Sequence, residues 1–141
     1  MTDDKAAQKQ KQSAAQKAKL IAAKNKKKSI DAQIEELRVV RRKILVLNGQ
    51  LNRYREQMSR SLLQPDANFK GDRRDKFDAK INDTIATIGL IEAKHVYNCG
   101  LIEKKIMALQ YESDGLMGII GEINRVIGSL SSEISSLLRG N

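Results

Sequence analysis

The sequence predicts an all-α protein, a long antiparallel helical hairpin of coiled-coil character. Three observations carry this. Two long runs place apolar residues at steps of three and four, which is one face of a helix. A single short stretch holding the only proline, Pro65, separates them. The composition is 4% aromatic, without tryptophan, and 30% charged, which suits long helices better than a globular enzyme.

The turn is Gln64 to Gly71, followed by Asp72. Pro65 lacks an N–H and biases Gln64 out of helical geometry, so the first helix ends near Leu63. Asp66, Asn68 and Gly71 are turn formers, and Gly71 accepts a positive φ without steric cost. Asp72 reads as the N-cap of the second helix, with Asp75 placed to suit the helix dipole. Phe69 is a large aromatic in a polar turn, expected to fold back as a plug at the closed end.

Residues 1–28 form a separate segment of Ala, Gln and Lys. Nine lysines against Asp3 and Asp4 give it +7 of the chain's net +9. Its residues favour helix, yet Leu20 and Ile21 are its only large apolar side chains after Met1. The expectation is a basic tail or frayed helix, with little to pack against. A solvated extension is favoured over a nucleic-acid or membrane arm, since arginine and stacking aromatics are missing.

Residues 29–141 form the hairpin, with its turn at 64–71. Helix one runs from about Ser29 to Leu63, on the stripe Ile30, Ile34, Leu37, Val40, Ile44, Leu47, Leu51, Tyr54, Met58 and Leu62. Helix two carries Phe77, Ile81, Ile85, Ile88, Ile91 and His95. From Cys99 to Leu137 the alternation of three and four is strict, with Ser113 its one polar residue. Gly115, Gly118 and Gly121 allow either a continuous helix with close packing or a bend near residues 115–121.

The two helices read as unequal. Helix one would be about 52 Å long and helix two about 100 Å. Leu116, Ile120, Ile123, Ile127, Leu130 and Ile134 would then lie opposite the lysine segment, which offers little apolar surface. The expectation is an unpaired stripe that binds the helix of a partner protein.

Catalysis is not expected. One histidine and one cysteine build neither a catalytic triad nor a metal cluster, and no phosphate-binding glycine loop follows a strand. Catalytic residues, metal ligands and cofactors are accordingly expected to be absent. His95 and Cys99 fall on the stripe and read as packed residues. No run approaches transmembrane length and no signal-peptide pattern opens the chain, so a cytoplasmic protein is expected.

Phe69-x-Gly71 between long helices resembles the Trp-x-Gly turn of WXG-type hairpins handled by Gram-positive type VII secretion. The stretch from Phe69 through Gly71 to Phe77-Asp78 is similar to one subgroup of these, small helical proteins encoded beside LXG toxins. The resemblance spans residues 29–141 in architecture and about ten residues in motif. It implies a non-enzymatic, chaperone-like targeting factor that binds the toxin's helical N-terminal domain, alone or with a second small helical protein. It also allows export with the toxin, without a cleaved signal peptide. Phe69 replaces the family tryptophan, keeping an apolar plug without the indole N–H. The wider family's Tyr-x-x-x-Asp/Glu export signal is missing, because Tyr54, Tyr97 and Tyr111 lead to Met58, Leu101 and Gly115. A partner would supply it. The competing readings are a basic coiled coil that binds nucleic acid and a self-assembling structural coiled coil.

Overall fold

The structure is a computed structural model that describes residues 2–64 and 70–140. Two helices, α1 (Thr2–Leu63) and α2 (Asp72–Arg139), pack against each other as a helical hairpin. The all-α hairpin read from the periodicity is therefore present. Of the turn expected at 64–71, residues 65–69, Pro65 and Phe69 among them, lie outside the described residues, so the plug expected there is not described.

The packing falls into two units. One comprises Met1–Glu35 with Ile106–Asn141, the other Glu36–Lys105. In each, the side chains least exposed to solvent follow a seven-residue repeat, with inner positions a and d.

In the first unit, the expected frayed tail is helical from Thr2 and supplies one wall of the seam. Ala6, Ser13, Ala23, Ile30 and Ile34 are buried, and Lys9, Gln16, Leu20 and Lys27 are half-buried. Opposite them lie Leu109, Ser113 and Leu130, buried, with Leu116, Ile120, Ile123, Ile127, Ile134 and Leu137 half-buried. The distal stripe is thus not left without a partner in its own chain. The physical reason is size matching. Alanine and serine leave room for isoleucine and leucine from the other helix, and lysine and glutamine cover apolar surface with their methylenes. Lys9 also forms an ion pair with Glu133.

α2 passes through residues 115–121 as uninterrupted α-helix. Gly115, Gly118 and Gly121 are exposed, and a Cβ on any of them would meet nothing within 4 Å. They provide neither a break in the helix nor a close approach.

In the second unit the seam is thinner. Ile88 and Cys99 are its buried apolar residues among those described. Helix α1 ends at Leu63, as the proline requires, and its last carbonyls are capped from α2. Arg74 donates to the carbonyls of Ser61 at 3.2 Å, Leu62 at 3.1 Å and Gln64 at 3.3 Å. Its Nε also donates to Asp78 Oδ2 at 3.2 Å, while the guanidinium carbon lies 5.7 Å from the Phe77 ring centroid. Gly71, with φ of 73°, accepts from the Asp75 amide at 3.0 Å. That makes Gly71 the capping position and Asp72 the first helical residue, so α2 begins one place earlier than expected. A non-glycine residue would be strained at this φ.

Candidate docking face of the second unit

In the second unit the seam does not follow the apolar stripe. The stripe read from α1 used Val40, Leu47 and Tyr54, but all three are exposed, at 45%, 50% and 56%. Their next neighbours Arg41, Asn48 and Arg55 occupy the inner a positions and are half-buried. On α2 the same shift puts Asp78 and Glu92 inside, leaving Phe77 and Ile91 more exposed.

The polar seam residues find partners across it, although Arg41 Nε and Glu92 Oε1 are buried without a hydrogen bond among the described residues. Asn48 Nδ2 donates to the Glu92 carbonyl at 3.2 Å, which leaves its Oδ1 to accept from His95 Nδ1 at 2.6 Å. Arg55 lies 3.5 Å from Glu92, and Arg41 lies 3.6 Å from Glu103. His95 is thus a hydrogen-bonded seam residue and Cys99 a buried free thiol, consistent with packing roles for both.

Both alternatives satisfy a three-four spacing, because Leu37, Ile44, Leu51 and Met58 at d are flanked by a on one side and g on the other. Hydropathy picks g, whereas the folded pair uses a. What decides it is the partner helix, since Asn48 meets hydrogen-bonding groups that Leu47 could not use, and Arg41 and Arg55 meet carboxylates that Val40 and Tyr54 could not pair as ions. The apolar arc of α1 is therefore rotated away from the seam, and half of it stays uncovered.

The uncovered half is shared by both helices. Arg41 at a meets Glu103 at e, so the a and e positions of the two helices share one side of the seam. The d and g positions then share the other, which places Val40, Leu47 and Tyr54 on the same flank as Ile91. Leu101, at the adjoining c position, extends that flank and is 47% exposed. Consecutive residues of the α1 row are about 10 Å apart along the helix.

Of the residues singled out beforehand, Gly71 and Phe77 stand at the start of α2. Leu116, Ile120, Ile123, Ile127, Leu130 and Ile134 belong to the first unit's internal seam. Among the described residues, no three or more His, Cys, Asp or Glu side chains are grouped to hold a metal ion. No described helix is long and apolar enough to cross a membrane. Comparison with protein-family models, curated proteins and solved structures gives no match for this chain.

Proposed function

We propose that this chain is a non-enzymatic helical partner of another helical protein, specifically the N-terminal domain of an LXG-type toxin. It would help target that toxin to type VII secretion. The observation that carries the reading is the row Val40, Leu47 and Tyr54, large apolar residues repeated every seven and left in solvent. Such a repeat suits a further helix rather than a small molecule. The glycine at positive φ before α2 and the Phe77-Asp78 pair after it add support through the turn resemblance.

The contact would lie on this flank of the second unit. Leu116 to Ile134 could reach a partner only by giving up their packing on the first half of α1. Co-expression with the helical N-terminal domain of an LXG toxin encoded beside this chain tests the reading. The expected result is a hetero-complex that survives 0.5 M salt, roughly the range where Debye screening falls to a few ångströms. Failure of the two to co-purify overturns it. A second reading, nucleic-acid binding, draws on the exposed lysines of the helical N-terminal segment. It predicts steeply salt-dependent DNA binding instead.

A further inference from the structure

The uncovered flank has a charge signature that constrains its occupant. The second unit carries fifteen Lys and Arg against nine Asp and Glu, a net +6. The c and g positions beside the apolar row hold Lys43, Lys80, Lys94 and Lys105, with Glu36 as the one acid. All four lysines are exposed, and among the described residues none is ion-paired. The opposite flank is mixed in sign, with Arg38 and Arg42 accompanied by Glu56, Asp75 and Glu103. An apolar row rimmed by unpaired lysines is the complement of an apolar row rimmed by carboxylates.

We infer that the flank of Val40, Leu47, Tyr54, Ile91 and Leu101 docks an acidic amphipathic helix of the partner protein. That helix has apolar residues on a seven-residue repeat and Asp or Glu beside them, facing Lys43, Lys80, Lys94 and Lys105. This rests on the proposed partner function and adds where the helix sits and what charge it bears. A second copy of this chain fits less well, because the face it would offer has the same positive rim. The apolar residues give the contact its hold, and the lysines select against basic helices.

The test uses the full chain and two synthetic four-heptad peptides, both with leucine at inner positions. One has glutamate at the flanking positions, the other lysine. The glutamate peptide is expected to bind and the lysine peptide to fail. Leu47→Asp, and separately Lys43→Glu with Lys94→Glu, should each weaken glutamate-peptide binding by about tenfold or more. Both variants alter exposed residues and should keep the parent's helicity and thermal midpoint. Equal binding of the two peptides, no binding of the glutamate peptide, or binding indifferent to these substitutions overturns the inference. So does a parent dimer that Leu47→Asp dissociates, or displacement of the glutamate peptide by a DNA duplex. Capture of the toxin domain by the same variants separates the two ideas. If the Leu47→Asp chain captures it as well as the parent, the flank is wrong and the partner function stands. If the parent captures nothing while the peptide results hold, the toxin reading falls and the flank stands.

Discussion

Ser113, 1% exposed in the seam of the first unit, donates its hydroxyl to Asp31 Oδ1 across 2.6 Å. Lys27 holds the other carboxylate oxygen at 2.7 Å. These contacts, Lys27 first and Ser113 second, lower the Asp31 pKa from its ordinary 3.8. A depressed folded pKa means that the linked stability is fully present above 3.8 and is lost as pH falls through the lower folded value. Ser113→Ala should therefore lower the thermal midpoint at neutral pH. Its deficit relative to the parent should shrink once the pH drops below that of the folded carboxyl. Melts from pH 7 down to pH 2 check this, and a deficit independent of pH would mean the hydroxyl acts only through packing.

Removal of residues 1–28 should destabilise the first unit rather than trim a tail. Leu116 to Leu137 would lose the wall that Ala6, Ser13, Leu20 and Ala23 supply and expose their apolar faces. The truncated chain should lose more helical signal than 28 residues account for, and should self-associate in light scattering. A truncation that stays monomeric, with α2 fully helical, would contradict the packing.

Ile123→Asp with Ile127→Asp places two carboxylates in the same seam. Each should cost about 1–3 kcal/mol through desolvation, and more where apolar packing is also lost. Hydrogen exchange should show early opening of residues 106–139 and 2–35. Protection unchanged from the parent would place these side chains outside the core.

Arg74→Ala should loosen the end of α1. The guanidinium reaches the carbonyls of Ser61 and Leu62 at the end of the helix and of Gln64 just beyond it, which have no partner within α1. A loss of about 1 kcal/mol is expected, with faster amide exchange in residues 58–63. Arg74→Lys should restore only part of it, because a single ammonium cannot span the fork. Full rescue by lysine would show that charge alone, and not geometry, holds this end.

By itself the sequence determined that this chain is two helices, one ending before Pro65 and the other starting after it. Pro65 set the end of α1 at Leu63, and the repeat from Cys99 to Leu137 marked the inner face of α2, because chain sterics and the helical period are local properties. Two matters were decided only by the partner helix. The first was whether residues 1–28 fold: Ala6, Ser13 and Ala23 look inert alone, but they are the small side chains that the large residues of α2 require opposite them. The second was which side of Leu37, Ile44 and Leu51 faces inward. Val40 and Leu47 outrank Arg41 and Asn48 by hydropathy. Glu103, Glu92 and His95 nevertheless gave the polar pair its partners and left the apolar pair in solvent. Hydropathy ranks a residue's preference for leaving water, whereas the seam is settled by what each side chain meets across it.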